Sequence, residues 1–263
     1  MIIASRAVIA TSAAADAYWF GTYGGANNEQ DGTGAFIDAA DSGYMAMRTD
    51  SAGAGNTDLA WFKVDKTGAL QLQRTLGTGN YDNGTGIAVA TNGNIYLAGQ
   101  FGNPTYADAV LAKYNSSGTI QWQRYIDVPG SVSLSVYSCG LDSSENAYLY
   151  AHDGTANSLY VAKFNSSGTI QWQRLLDGAN VEVTFGGHVT ASGDVYVTGY
   201  TRSGGAYTNN SQYLAKYNTS GTLQWQTYLY PSSGLAEGRD IAVDASGNVY
   251  VVGYSTRDNP QRS

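Results

Sequence analysis

The stretch KYNSSGTIQWQR at residues 113–124 decides the fold, because it returns as KFNSSGTIQWQR at residues 163–174. A third copy, KYNTSGTLQWQT, occupies residues 216–227, and a weaker one, KVDKTGALQLQR, occupies residues 63–74. The lysines that open the four copies are separated by 50, 50 and 53 residues. Sequence periods of about 50 residues are typical of propellers and solenoids. The chain is therefore an array of one repeated unit.

A second motif alternates with the first along the chain. It reads IAVATNGNIYLAG at residues 87–99 and IAVDASGNVYVVG at residues 241–253, and a related stretch covers residues 189–199. Both motifs place Asn, Asp or Ser close to Gly between short runs rich in Val, Ile and Tyr. This pattern predicts a strand, a tight turn and a second strand. Each unit is therefore expected to contain two hairpins, and no stretch of useful length favours a helix.

Four-stranded sheets that repeat without helices predict an all-β fold, namely a single β-propeller of five four-stranded blades. The chain ends after a first hairpin, while its N-terminal residues align with a second hairpin and place Trp19 over Trp225. We therefore expect one closed domain over residues 1–263, with the two ends of the chain sharing the last blade. The alternative is an open array that another chain completes. The predicted blades are residues 35–76, 86–126, 136–176, 185–230, and 239–255 combined with 6–24.

Composition excludes several classes of function. The net charge is -7, and the 14 Lys and Arg residues are spread singly, so the basic patch of a nucleic-acid-binding protein is missing. Cys139 is the single cysteine, which excludes an intrachain disulfide and a thiolate zinc cluster. Two histidines are too few for a histidine-rich metal site, and we expect no cofactor and no metal. No apolar run is long enough to span a membrane, and we interpret the N-terminal stretch as a blade hairpin rather than a signal peptide.

Departures from the repeat and long loops supply the candidate binding residues. His188 stands where the other copies carry Ala88, Gly140 and Ala242, so the repeat changes at this position. The longest predicted loops span residues 201–211 and 100–108, and loops commonly carry contacts. The candidates are therefore His188, Arg202, Tyr207, Asn209, Asn210 and Tyr106.

Other conspicuous residues are interpreted as structural. We expect Trp122, Trp172 and Trp225 to pack against the next blade, and His152 to lie in an exposed loop. The repeated lysines are expected on a solvated strand face, and Cys139 is expected to be buried in an inner strand.

The first hairpin of residues 240–256 and the second hairpin of residues 214–226 resemble the bacterial and viral β-propeller repeat known as SBBP, and this resemblance covers nearly the whole chain. It implies a propeller fold, but the family carries no shared catalytic residues, so it implies no active site. The repeat KYNSSGTIQWQR, the stretch SAGAGNTD at residues 51–58 and the short N-terminus without a leader are similar to repeat proteins of marine tailed bacteriophages, notably cyanophages. That similarity implies a virion component.

We therefore expect a non-enzymatic structural or binding protein on a phage particle, in its tail, fibre or capsid surface. Its expected partners are other virion structural proteins or a host surface glycan, and it is expected in symmetric copies. A bacterial surface or secreted scaffold module is the alternative. A third hypothesis is a propeller enzyme acting on polysaccharide, for which the hints are His188, Glu182 and Asp240, expected in the inner strands of different blades.

Overall fold

A computed structural model describes residues 30–50, 56–103, 106–126, 134–155, 158–176, 181–202, 210–229 and 234–256. Backbone alone is described at residues 30–33, 103, 106–107, 176 and 181–182. Within these ranges the chain forms 18 β-strands and no helix. The chain divides into two compact units, residues 1–128 and 129–263.

The first unit contains two four-stranded antiparallel sheets with strands in chain order. The strands of the first sheet are β1 (Gln30–Ile37), β2 (Gly43–Thr49), β3 (Asp58–Val64) and β4 (Leu70–Leu76). The strands of the second are β5 (Asp82–Val89), β6 (Ile95–Asn103), β7 (Tyr106–Tyr114) and β8 (Ile120–Ile126).

The second unit contains two four-stranded antiparallel sheets and a two-stranded sheet. Its first sheet has β9 (Leu134–Leu141), β10 (Ala147–Asp153), β11 (Ser158–Phe164) and β12 (Ile170–Leu176). The next has β13 (Val181–Val189), β14 (Val195–Arg202), β15 (Asn210–Tyr217) and β16 (Leu223–Leu229). The last has β17 (Ala236–Val243) and β18 (Val249–Ser255).

The prediction of an all-β chain built from repeated four-stranded sheets is confirmed. The fifth repeat shows two strands, β17 and β18, and the hairpin assigned to residues 6–24 lies outside the described residues. Five closed blades and a single domain over residues 1–263 therefore stay predictions. The loop expected at residues 100–108 is mostly strand, because β6 continues to Asn103 and β7 begins at Tyr106.

The turn of the KYNSSGTIQWQR motif is held by the side chain of Asn115. Its Oδ1 accepts hydrogen bonds from the backbone N of Ser117 at 3.1 Å and of Thr119 at 2.8 Å. Gly118 has a φ of 76°, a conformation in which a side chain would be strained. Asn165 and Asn218 bind their own turns in the same way. The repeated Asn and Gly therefore fix where each hairpin reverses.

The tryptophans of the motif pack on tyrosines of the same sheet, edge to face. The ring centroids are 5.7 Å apart for Tyr96–Trp122, 6.0 Å for Tyr148–Trp172 and 6.0 Å for Tyr196–Trp225. Trp172 also reaches the next sheet, where its Nε1 donates a hydrogen bond to the carbonyl of Thr219 at 3.0 Å. Packing against the next blade is thus confirmed for Trp172.

The repeated lysines lie against tyrosine rings instead of on a solvated face. Their Nζ atoms are 5.1 to 5.2 Å from the ring centroids in the pairs Lys63–Tyr44, Lys113–Tyr96, Lys163–Tyr148 and Lys216–Tyr196. Lys113 is buried, and Lys216 forms a 2.9 Å ion pair with Asp194. The solvated interpretation was wrong because the lysine stem packs on the neighbouring strand's ring, where the ammonium group gains a cation–π contact.

Candidate functional site

The first strand of each complete sheet and of the two-stranded sheet has a register irregularity near its middle. In β13, Thr184 pairs with Gly199 and Gly186 pairs with Thr198, which leaves Phe185 without an opposite residue. The same single-residue bulge occurs in β5, β9 and β17. A bulge leaves one residue out of the ladder and redirects its side chain. The bulged residues are Thr85, Tyr137, Phe185 and Arg239.

Successive first strands approach each other closely at these bulges. A Cβ added to Gly186 would lie 2.8 Å from the Cα of Asp240 on β17. In the first unit, a Cβ on Gly34 would lie 2.9 Å from the Cα of Gly86. Real Cβ contacts are longer than this, so a glycine is needed where one backbone packs directly on the next. This close approach brings bulged residues of neighbouring strands together.

In the second unit the bulged residues form a continuous stack. The rings of Tyr137 and Phe185 are perpendicular, with centroids 5.5 Å apart. The guanidinium carbon of Arg239 lies 4.0 Å from the centroid of the Phe185 ring. Tyr200 on β14 adds a third ring, 5.7 Å from that of Phe185. The arrangement is an aromatic cluster with a cation on one ring face.

A chain of polar side chains extends from Arg239 through the same unit. Arg239 Nη2 donates to Glu237 Oε2 at 2.5 Å, and Asn210 Nδ2 donates to Glu237 Oε1 at 2.5 Å. Asn210 Oδ1 in turn accepts from Arg202 Nε at 3.2 Å, and Arg202 Nη2 donates to the Tyr200 hydroxyl at 2.8 Å. The chain of bonds therefore returns to the aromatic cluster. We call these residues the bulge site: Tyr137, Phe185, Tyr200, Arg202, Asn210, Glu237 and Arg239.

The residues of the bulge site differ in their exposure to solvent. The side chain of Arg239 is 52% exposed, whereas that of Glu237 is 9% exposed. Asn210 and Tyr200 are buried, and Tyr137 and Phe185 are half-buried. Burial raises the pKa of Tyr137, Tyr200 adds to this, and Arg239 opposes it, so Tyr137 is a neutral hydroxyl at physiological pH. Solvent therefore meets a guanidinium and aromatic edges, above a hydrogen-bonded polar layer.

His188 is half-buried in β13, opposite Tyr196 of β14. Burial lowers its pKa below the ordinary value, and the carboxylate of Asp240 partly opposes this. Glu182 also lies in β13, so two of the three catalytic hints share a strand and only Asp240, in β17, comes from another. The expectation of three different inner strands was wrong because β13 is long enough to include both residues.

Two of the other predicted binding residues come together. Arg202 ends β14 and Asn210 begins β15, so both are strand residues that pair across the hairpin, and their side chains are hydrogen-bonded. Tyr106 begins β7 of the first unit. Tyr207 and Asn209 lie outside the described residues. A binding role for each of these residues stays a prediction.

Sequence reasoning missed Tyr137, Phe185 and Arg239, although the repeat contained a signal. Each lies three residues before the aligned position that singled out His188, and the corresponding residue of β5 is Thr85. This aligned position of the repeat therefore holds a small polar residue in β5 and aromatic or cationic residues in the later repeats. Comparing every column of the repeat would have singled out these three residues, although not their stacking.

Other predicted features have structural explanations. His152 is half-buried in β10 rather than exposed in a loop, because that strand continues to Asp153. Cys139 is buried in β9, as expected. The oxygens of Asp244 accept bonds from Ser246, Asn248 and Tyr250, so this residue holds a hairpin turn.

Two kinds of feature are absent from the described part of the chain. It contains no group of three or more His, Cys, Asp or Glu placed to hold a metal ion. It also contains no helix that is long and apolar enough to cross a membrane.

Comparison with protein families finds the SBBP β-propeller repeat at residues 224–259, which span β16 to β18. A search of curated proteins finds no significant match.

Solved structures with a similar fold include enzymes. The exo-β-1,3-galactanase of Phanerochaete chrysosporium, in complex with galactose, has 12% identity and a TM-score of 0.52 over 84% of this chain and 55% of that one. An ulvan lyase, from a family of polysaccharide lyases, has 13% identity and a TM-score of 0.52 over 85% of this chain and 58% of that one. Hydrazine synthase of Kuenenia stuttgartiensis has 9% identity and a TM-score of 0.50, over 86% and 74%. The chain spans little more than half the length of the first two proteins.

These similarities overturn the prediction of a non-enzymatic protein, which relied on the propeller repeat. Enzymes that act on polysaccharides share the fold, so the repeat does not exclude catalysis. At 9 to 13% identity the likeness shows the fold alone, and no catalytic residue is transferred. The described part of the chain is all-β, its fold is similar to those of propeller-like proteins, and residues 224–259 match the SBBP β-propeller repeat.

Proposed function

We propose that the chain binds carbohydrate at the bulge site of its second unit. The observation that carries the proposal is the combination of aromatic rings with planar hydrogen-bonding side chains at one place. Phe185 and Tyr137 supply aromatic edges for apolar contact with a sugar ring, and Arg239, stacked on Phe185, supplies donors for the sugar's oxygens. Binding sites typically combine aromatic surface with a few fixed polar groups in this way.

The fold comparisons support the same class of ligand. One similar structure is a galactanase with galactose, and another is an ulvan lyase, which acts on a polysaccharide. Hydrazine synthase shows that the fold also serves unrelated chemistry, so the proposal depends on the bulge site and not on the fold.

Replacing Phe185 by Thr tests the proposal, because Thr85 occupies the same bulge in β5 and that strand folds normally. We expect the wild-type chain to bind members of a glycan array and Phe185→Thr to bind them at least about tenfold more weakly, a loss of about 1.4 kcal/mol. Tyr125→Ala is the control, because it removes an exposed aromatic residue of the first unit. Each bound glycan is also assayed for cleavage products.

Equal weakening by both substitutions would contradict a specific role for the bulge site. Absence of binding to every glycan on the array would contradict the proposed function.

We also propose that the protein is displayed on a phage particle and that the glycan belongs to the host surface. The support is the resemblance of its repeats to those of marine tailed bacteriophages. Electron microscopy of intact particles tests this proposal. We expect density for the repeat sheets beside tail or capsid proteins. Particles without such density would overturn it.

For the architecture, we propose five four-stranded blades, with residues 6–24 completing the sheet of β17 and β18. The support is the surface of β18, where Tyr250 is 58% exposed and Val252 is 64% exposed. The tyrosines that correspond to Tyr250 are buried beside tryptophans in three of the complete sheets, and Trp19 aligns with those tryptophans. Hydrogen exchange of the β18 amides that face away from β17 measures this pairing, because these amides exchange slowly only if the strand has a second partner.

A further inference from the structure

We propose that Arg239 recognises an acidic group on the glycan, either a carboxylate or a sulfate, and that Glu237 and Asn210 hold Arg239 in position. This inference rests on the proposed function and names the ligand class of the same site. Arg239 is the contact residue, and Glu237 and Asn210 are positioning residues.

The guanidinium group of Arg239 has donors to spare. It carries five N–H donors, and among the described residues Glu237 is its hydrogen-bond acceptor, through Nη2. One face of the group lies on Phe185, 4.0 Å from the ring centroid, and the side chain is 52% exposed. A ligand can therefore reach the remaining donors from solvent without displacing the contact with the ring.

The same group is already ordered before a ligand arrives. Phe185 supports it from one side, and Glu237 fixes its angle. Glu237 is fixed by Asn210, and Asn210 by Arg202. A free arginine side chain carries about 2 kcal/mol of rotamer entropy, and ordering it in advance removes much of that cost from binding.

An acidic oxygen is the acceptor that gains most from such a donor. Hydrogen bonds between guanidinium and carboxylate or sulfate are charge-assisted and roughly twice as strong as neutral ones, and they form in pairs along the planar fork. A sugar hydroxyl competes with water for the same donors and gains little. Because the chain has a net charge of -7, general electrostatic attraction would not favour a polyanion, and acid recognition requires a specific cation.

Three trisaccharides of equal length separate the possibilities: galactose, galacturonate and sulfated galactose. With the full chain, calorimetry is expected to give a Kd at least about tenfold lower for one acidic trimer than for the neutral trimer. Arg239→Ala is expected to remove this ratio, mainly by weakening the binding of the acidic trimers. Arg239→Lys is expected to give an intermediate ratio, because an ammonium group keeps the charge but lacks the planar fork. The better of the two acidic trimers identifies the group.

The positioning residues are tested by the acid-to-neutral ratio rather than by affinity alone. Glu237→Ala is expected to lower the ratio, and Glu237→Gln to restore part of it, because its one amide oxygen can still accept from Arg239 but its nitrogen cannot accept from Asn210. The unfolding midpoint of each variant is measured alongside, so that loss of fold is distinguished from loss of position. A ratio unchanged in Glu237→Ala would overturn the positioning role.

The two proposals fail in different ways. Equal affinity for acidic and neutral trimers, with no effect of Arg239→Ala, would overturn acid recognition and leave carbohydrate binding standing. Binding of no trimer, together with no binding on the glycan array, would overturn the proposed function as well.

Discussion

Gly187 has a packing requirement that the corresponding residues of the other repeats do not share. Gly187 occupies the column that holds Ile87, Cys139 and Ile241 in the other first strands. A Cβ at this position would lie 2.4 Å from the ring of Tyr150, which is fully buried. The glycine therefore makes room for a large ring of the neighbouring sheet, and the exception in the column is a packing requirement.

Gly187→Ala is expected to lower the free energy of unfolding by about 1 to 3 kcal/mol, because the new methyl group overpacks a core that has no room to move. Urea denaturation followed by tyrosine and tryptophan fluorescence measures the change.

Gly79→Ala is the matched control, because a Cβ there meets nothing within 4 Å and the residue has no positive φ. It is expected to change the midpoint little or to raise it slightly. Equal effects of the two substitutions would show that Gly187 matters through backbone freedom and not through packing.

Strands carry the contacts that join one sheet to the next. In β12, Trp172 donates to Thr219 of the following sheet, and Gly221 of the same turn lies on its ring. Arg174 of the same strand donates to the carbonyls of Gly221 and Ser220. In β16, the corresponding residues are Trp225, which is 40% exposed, and Thr227. The tryptophan position of the motif therefore contributes more to contacts between sheets in β12 than in β16.

Trp172→Ala is expected to destabilise the chain by about 2 to 3 kcal/mol, since it removes half-buried ring surface and a hydrogen bond between two sheets. Trp225→Ala is expected to cost about 1 kcal/mol, because its ring keeps more solvent contact and loses mainly the packing on Tyr196. Thermal unfolding of the two variants compares them directly, and a larger loss for Trp225 would contradict the assigned contact.

At the scale of the whole molecule, stability depends on the two histidines as pH changes. Burial lowers the pKa of His152 and of His188 below the ordinary 6.5, and Asp153 and Asp240 partly oppose this. The unfolded chain therefore binds more protons near pH 6 than the folded chain does. The contribution of the two neutral histidines to stability is complete above their ordinary pKa of 6.5. It is lost as the pH falls from 6.5 through their lowered pKa values.

We accordingly expect the unfolding midpoint in urea to decrease between about pH 7 and pH 5. The double substitution His152→Gln with His188→Gln is expected to flatten this decrease. The Asp65 carboxylate affects stability at lower pH. A hydrogen bond from Thr67 lowers its pKa, so its contribution to stability is lost as the pH falls below the ordinary value of 3.8. A wild-type midpoint that stays constant from pH 7 to pH 5 would contradict the assignment.

Much of the fold was predictable because local chemistry repeats with it. Asn115 and Gly118 determine a turn through bonds within five residues, so their recurrence predicted every hairpin that contains them. His152 was misplaced because cross-strand pairing extended β10 beyond the polar pair that suggested a loop.

The candidate site was less predictable, because it depends on which residue a bulge excludes. Arg202 and Asn210 were selected from a predicted loop, and the structure joins them by a hydrogen bond across paired strands. Phe185 and Arg239 are 54 positions apart in the sequence, and only the close approach of β13 and β17 stacks them. The spacing of motifs in the sequence reveals the repeat, but it does not show how closely β13 and β17 approach each other.

The bulges have a consequence for how such a chain can change. Thr85, Tyr137, Phe185 and Arg239 stand outside the ladder, so their side chains are not committed to pairing. Under the proposed function, one codon at each position can alter what the array recognises while the frame folds as before. Selection, or a designer, can therefore vary specificity one repeat at a time, and duplication of a repeat supplies a new variable position together with the scaffold that displays it.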